Sequence, residues 1–277
     1  MNVAEAIDDG RIGGRLWLYA NYHCNLRCSY CLTESAPGVA RRVLAPETML
    51  RRAREARELG FSGLGVTGGE PFLLDWMPEL IAELARVLPV IVLSNGTLFT
   101  GRRLAALEPL AGLPVQIQIS LDRPEPEPND AMRGPENFAK VVAAIPRLVE
   151  RGIGVRVATT LAEPSTYDPA ERERLCALHR ALGVGDEDHV VRPIVRRGRA
   201  HSGDLGVSAG FEELEPELTL TADGAFASPF GPTVHGGRLD TDLLVTRTTA
   251  PLSVPAGTLA RLVGNGTAGR DARLGIR

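Results

Sequence analysis

The sequence predicts an α/β protein, a partial (β/α)6 TIM-like barrel with a small mixed C-terminal appendage. Three observations carry that prediction. Short apolar, β-prone runs alternate with amphipathic helical stretches over the first two hundred residues, and such alternation means parallel strands joined by right-handed crossovers. The units number six, two short of a closed eightfold barrel. Beyond about residue 200 the alternation stops and short strand and turn signals replace it. A doubly wound sheet accommodates the same alternation and remains an alternative at this level.

The first strand is read at 15–20, "RLWLYA", and the helix at 46–59 opens with Pro46 and Glu47, a fixed φ followed by a negative charge at the helix N-terminus. The second strand, "GLGVTG" at 63–68, is followed by a helix at 75–87 capped by Asp75. The third strand, "VIVLSN" at 90–95, leads to a short helix near 100–108, and the fourth, "VQIQIS" at 115–120, to a Pro-rich loop "DRPEPEPND" at 122–130. That loop stands where barrel enzymes place functional loops. A helix at 135–151 starts at Pro135 and Glu136, a strand follows at 154–160, a helix at 168–182 is capped by Asp168, and the sixth strand is "HVVRPI" at 189–194. The barrel is thus expected over 15–200. The basic, Gly-rich stretch at 196–203 then leads into the appendage, 204–277, with a hairpin around Asp223-Gly224, the run "GGRLDTDLLV", a helix near 256–263 and a frayed end from Gly264.

A chain of 277 residues with 44% apolar content can bury a large core. Its net charge of −3 provides no field to recruit nucleic acid or an anionic membrane. The first fourteen residues carry Glu5, Asp8 and Asp9 without an apolar core, and no apolar run approaches the length of about 18 residues needed to span a bilayer. A cytoplasmic location is expected. In that reducing setting clustered cysteines serve as metal ligands or catalysts more often than as disulfides, and the sequons at Asn95 and Asn265 are chance matches.

Three of the four cysteines, Cys24, Cys28 and Cys31, fall in "NYHCNLRCSYC" directly after the first strand. They therefore sit at the carboxyl end of the sheet, where parallel α/β folds bind ligands. Zinc in a structural site wants four ligands, and His23, next to Cys24, points away in an extended segment. A disulfide would strand one thiol, and burial as small hydrophobes does not explain the clustering. An iron–sulfur cluster on three cysteines leaves one iron open for chemistry. Gly63-x-Gly65-x-x-Gly68 matches the dinucleotide fingerprint by letter, but no helix starts there and the next strand ends in Ser94-Asn95 rather than an acid.

Cys-x3-Cys-x2-Cys with Tyr30 before the last cysteine, followed by "TGGEP" (67–71) at the end of the second strand, resembles the radical S-adenosylmethionine (radical SAM) superfamily. "LSNGT", "SLD" (120–122) and "NDAMRG" (129–134) resemble further stretches of its subgroup related to SPASM/twitch-domain enzymes, and the resemblance spans roughly 15–200. It implies a 4Fe-4S cluster on Cys24, Cys28 and Cys31, with S-adenosyl-L-methionine chelating the open iron. It also implies a cofactor site built from Gly68, Gly69, Glu70, Tyr30, Ser94, Asn95, Ser120 and Arg133. The two glycines would let the ligand approach the backbone and Glu70 would pair with its ammonium. An electron donor such as flavodoxin or ferredoxin would reduce the cluster, and the resulting radical would take a hydrogen atom from a peptide or a small molecule such as a sugar or antibiotic precursor. Cys176 alone is left over, too little for an auxiliary cluster, so the appendage is expected to be a cluster-free remnant of a SPASM/twitch-like region. Leu175, Leu178 and Leu182 at helical spacing predict that Cys176 is a core residue; an epimerase with a cysteine hydrogen donor and a non-catalytic iron–sulfur or zinc-binding protein are the alternatives. Arg192 and Arg197 read as surface or ion-pair arginines, with substrate contact as the other possibility.

Overall fold

The computed structural model describes residues 2–162 and 167–264. Six parallel strands pair in sequence order: β1 (Arg15–Asn21), β2 (Gly63–Gly68), β3 (Val90–Ser94), β4 (Val115–Ser120), β5 (Gly154–Leu161) and β6 (His189–Pro193). The crossover helices include α2 (Pro46–Glu58), α3 (Met77–Ala85), α4 (Gly101–Ala105), α6 (Asn137–Val149) and α7 (Pro169–Ala181). This is the partial barrel that the alternation predicts.

Strand residues alternate between faces. On the outer face Leu16, Leu18, Leu64, Val66, Val92, Ile117, Ile119 and Val157 pack with Met49, Ala53, Ile81, Leu84, Val141 and Ile145 of the helices in one buried core. On the inner face Trp17 and Ile91 meet Leu214, Phe226, Phe230 and Leu243 from the end of the chain. Gly65 is explained here: a Cβ on it would come within 2.2 Å of the Trp17 indole. The fingerprint-like glycine makes room for a ring, not a dinucleotide.

The region from 204 onward continues the sheet. Strand β7 (Thr219–Thr221) pairs parallel with β1, matching Trp17 to Thr219 and Leu18 to Leu220, and β8 (Gly224–Phe226) and β9 (Leu244–Thr246) follow antiparallel. The expected hairpin at Asp223-Gly224 is present between β7 and β8. Helix α8 (Ser253–Leu262) packs against α1 (Val3–Asp8). The expectation of a frayed terminus falls on 265–277, outside the described residues.

The Pro-rich stretch read as a loop contains a helix, α5 (Pro126–Arg133). Pro126 and Pro128 both lie in its first turn, where a missing N–H costs no intrahelical bond. Among the described residues no helix is long and apolar enough to cross a membrane.

Candidate active site

The site forms where β1 to β4 end. After β1 the chain runs through Tyr22 and His23 into the cysteine loop, and β2 ends in Gly68, Gly69 and Glu70. The two strand ends touch. Gly69 N–H donates to both the carbonyl and the side-chain oxygen of Asn21 (3.0 and 3.1 Å), Asn21 Nδ2 donates to the Glu70 carbonyl (3.0 Å), and Glu70 N–H donates to the His23 carbonyl (3.0 Å). A Cβ at Gly68, which has φ +139°, would lie 2.3 Å from the Asn21 oxygen, and one at Gly69 would lie 2.0 Å from the His23 oxygen. The glycines are therefore required by backbone packing between the cysteine loop and β2 before any ligand is considered.

Around this junction one cavity is walled by Cys24, Cys28 and Cys31, by Gly68 and Gly69, by Ser94 and Asn95 after β3, by Ser120 at the end of β4, and by Tyr30 and Arg133. Ten residues expected at the site thus share one wall. All three thiols are free. Cys24 Sγ accepts from Leu26 N–H (3.4 Å) and from Asn95 Nδ2 (3.6 Å), Cys28 Sγ donates to the Arg133 carbonyl (3.7 Å), and Cys31 Sγ lies 3.4 Å from Thr33 Oγ1. Burial pushes the Cys24 thiol up to about 12, with the Glu70 charge adding to it, and burial also raises Cys28.

Glu70 is placed differently from the expectation. Its carboxylate does not wall the cavity; it is fully buried and accepts from Phe72 N–H (3.1 Å), Ser94 Oγ (3.0 Å) and Asn95 N–H (2.8 Å). Burial pushes its pKa up to about 7 against the pull of those hydrogen bonds. The side chain latches the end of β2 to the end of β3 and so holds Asn95, whose amide reaches Cys24.

Two residues that were not among the expected site residues complete the frame. Asp122, fully buried, accepts from Tyr30 Oη (2.6 Å), Arg133 Nη1 (3.2 Å) and Thr160 N–H (2.8 Å), tying the cysteine loop, α5 and β5 together. Tyr30 Oη also meets Arg133 Nη1. Burial works against the Arg133 charge, but Tyr30, Cys28 and Asp122 hold its pKa above the ordinary value. Asn21 is the second; its double hydrogen bonding to the glycine segment has no signal in the sequence beyond its place at the strand end.

Cys176 lies elsewhere and is half-buried rather than in the core. Its Sγ is 3.5 Å from His189 Nδ1, and His189 Nε2 is 2.9 Å from Thr159 Oγ1, which donates to the Leu121 carbonyl. Because Thr159 spends its proton on Leu121, His189 Nε2 carries the hydrogen that it gives Thr159, and Nδ1 is left to accept from the Cys176 thiol. Arg197 forms an ion pair with Asp242 (Nη1 to Oδ2, 2.9 Å) away from the cavity, whereas Arg192 lines the cavity.

A parallel partial barrel with a polar, thiol-lined mouth at the carboxyl ends of its strands defines an enzyme scaffold with a cofactor pocket. The profile of the radical SAM superfamily matches residues 19–176, and the chain belongs to that superfamily. Its cofactors are a 4Fe-4S cluster and S-adenosylmethionine. It is 36% identical over 132 residues to a GTP 3′,8-cyclase of Syntrophomonas wolfei, covering 46% of this chain and 40% of that protein. It is 30% identical over 228 residues to GTP 3′,8-cyclase 2 of Mycobacterium tuberculosis, covering 78% of this chain and 61% of that one. The chain thus spans about half the length of these relatives. The fold also resembles SuiB of Streptococcus suis bound to S-adenosylmethionine, with a TM-score of 0.59 at 14% identity over 75% of this chain and 47% of that one.

The residues present fit these cofactors. Three free thiols face one cavity from separate points, and among the described residues no three His, Cys, Asp or Glu side chains converge on a single ion. Soft, spaced sulfur donors suit a multi-iron cluster better than one zinc.

Proposed function

We propose that the protein holds its 4Fe-4S cluster on Cys24, Cys28 and Cys31 and S-adenosylmethionine against Gly68, Gly69, Ser94, Asn95, Ser120, Tyr30 and Arg133. The single observation that supports this reading most is that all ten of these residues, from five separate stretches of sequence, wall one cavity. When bound, the pair of cofactors supplies a hydrogen-abstracting radical by one-electron cleavage of the sulfonium. The chain's own residues position and exclude. The Asn95 amide donates to the Cys24 sulfur, a contact of the kind that tunes cluster potential. Glu70 fixes Asn95 and Ser94, and Asp122 fixes Arg133 and Tyr30 beside Cys28. Phe230 and Pro229 close the far side with apolar surface.

The radical takes a hydrogen atom from a peptide or a small molecule such as a sugar or antibiotic precursor; the name of the relatives, GTP 3′,8-cyclase, adds GTP to the substrates to be tried. A flavodoxin or ferredoxin in the cytoplasm reduces the cluster, a role supported by Arg27 and Arg41, exposed on and beside the cysteine loop and suited to an acidic donor. The barrel, 15–200, carries both cofactors, and the region from 204 acts as a cluster-free counterpart of a SPASM/twitch-like region that fills the inner face. The epimerase reading gains nothing from Cys176, which does not wall the cavity.

Anaerobic reconstitution with iron and sulfide counting, followed by a dithionite-driven assay for 5′-deoxyadenosine, tests the reading. Four irons per chain and cofactor cleavage are expected. Bound zinc without iron, or a cluster without cleavage, overturns it.

A further inference from the structure

The Asn95-Gly96-Thr97 stretch, a chance match as a glycosylation sequon, has another part in the fold. Asn95 and Thr97 are buried just after β3, and the turn between them requires glycine, since Gly96 has φ +74°. Thr97 N–H and Thr97 Oγ1 both donate to Asn95 Oδ1 (3.0 and 2.7 Å). Asn95 Nδ2 donates to Asn25 Oδ1 (2.9 Å), and Asn25 Nδ2 donates to Thr97 Oγ1 (2.9 Å). Three side chains, two from the turn after β3 and one from the cysteine loop, thus close a ring of three hydrogen bonds.

The protons give that ring one direction. A backbone N–H can only donate, so the Asn95 atom that faces Thr97 N–H is the oxygen, and the amide nitrogen faces the cysteine loop. Asn25 must then present its oxygen to Asn95 and its nitrogen to Thr97, and Thr97 spends its hydroxyl proton on Asn95 Oδ1. One hydrogen of Asn95 Nδ2 is used on Asn25; the other is left for Cys24 Sγ, 3.6 Å away. A protonated Cys24 can itself donate to Asn25 Oδ1 at 4.0 Å. A metal-bound sulfur has no proton and is an acceptor, for Asn95 Nδ2 and for Leu26 N–H. The backbone of Asn95 is pinned separately by Glu70 (2.8 Å), so what the ring orients is the side-chain amide.

We propose that Asn25 and Thr97 are positioning residues that hold the Asn95 amide with one hydrogen on the Cys24 sulfur and thereby raise the reduction potential of a cluster bound there. The proposal rests on the cluster ligation described above. An added electron makes the cluster sulfurs more negative, and a donor fixed on one of them favours the reduced form; hydrogen bonds to sulfur are among the means by which a protein sets such potentials.

Redox titration of the reconstituted protein, followed by electron paramagnetic resonance and run without S-adenosylmethionine, reads the potential apart from cofactor binding and turnover. Thr97→Val removes the hydroxyl that joins Asn25 to Asn95, and Asn25→Ala opens the ring from the other side. Each should shift the one-electron equilibrium about fivefold against the reduced cluster, a fall of about 40 mV at about 59 mV per tenfold. Thr97→Ser, which keeps the hydroxyl, should stay at the wild-type potential. If one of the two disruptive variants assembles no cluster, the other decides; loss of the cluster in both makes the ring a structural clasp and overturns the proposal. So do melting temperatures that fall in both variants while the potential stays put, or a Thr97→Ser potential as low as that of Thr97→Val. A wild-type chain that assembles no four-iron cluster sinks the ligation, and the proposal with it, so iron counting tells the two failures apart.

Discussion

Replacing Glu70 by glutamine tests whether that carboxylate is a latch or a cofactor ligand. Three donors aim at it: Phe72 N–H and Ser94 Oγ at Oε1, and Asn95 N–H at Oε2, 2.8 Å away. A glutamine oxygen can keep the first two. Its amide nitrogen then stands where Oε2 stood, donor against donor, and the residue is fully buried, so no water relieves it. An unsatisfied buried donor costs about 1–3 kcal/mol, which for a chain of this size corresponds to a melting temperature lower by roughly 2–4 °C per kcal/mol. Thermal melts of the metal-free variant and wild type at one pH read that loss without any cofactor. Affinity for S-adenosylmethionine should fall secondarily, as Ser94 and Asn95 lose their fixed positions. A variant that melts with wild type yet binds no cofactor refutes the latch and returns the carboxylate to the ammonium.

Alanine at Cys24, Cys28 or Cys31 should abolish the brown iron–sulfur absorbance and cofactor cleavage while circular dichroism stays native, since the loop lies outside the packed core; tetrahedral zinc in the anaerobically purified wild type would contradict this. Asp122→Asn should cost about 3–5 kcal/mol in denaturant melts, because it leaves the buried Arg133 cation without its counter-charge; a loss under 1 kcal/mol would mean that Tyr30 alone satisfies Arg133. His179 is fully buried with neither ring nitrogen partnered, and burial pushes its pKa down to about 3. The folded state therefore holds it neutral, and that preference destabilises the protein progressively as pH falls below the unfolded value of about 6.5, by up to about 1.4 kcal/mol per pH unit. His179→Leu should flatten the acid limb of stability against pH and leave stability above pH 7 equal or higher; an unchanged acid limb would show that His179 is solvated.

The strand and helix units were legible because each parallel strand buries its outer face under a helix, which writes short apolar runs and 3.6-residue periodicity into the chain. The helix at Pro126 was not, since three prolines in nine residues read as a loop unless two of them are known to sit in a first turn. The pairing of β7 with β1 joins segments two hundred residues apart and leaves no local signal. At the site the cysteines and glycines were legible as a spacing, but the reason for the glycines was not: Asn21 at the end of β1 and His23 just after it press on them. Glu70 was visible as a carboxylate in a motif, while its three donors come from residues whose approach only the fold sets. Leucine spacing predicts a core position for Cys176, yet its helix turns it partly outward beside His189.

The seating of β1 between β2 and β7 has a temporal meaning. The cysteine loop leaves the ribosome early, but it is fastened by residues that come much later: Arg199 N–H donates to the Cys31 carbonyl (3.0 Å), Arg199 Nε to the Cys28 carbonyl (2.9 Å), and Val234 N–H to the Leu32 carbonyl (3.3 Å). Contacts of such sequence separation form slowly and only once both partners exist. A nascent chain shorter than about residue 234 therefore presents three thiols without the frame that spaces them. A ribosome stalled upstream of that point would leave the three thiols without these hydrogen bonds, and cluster loading is expected only once they have formed.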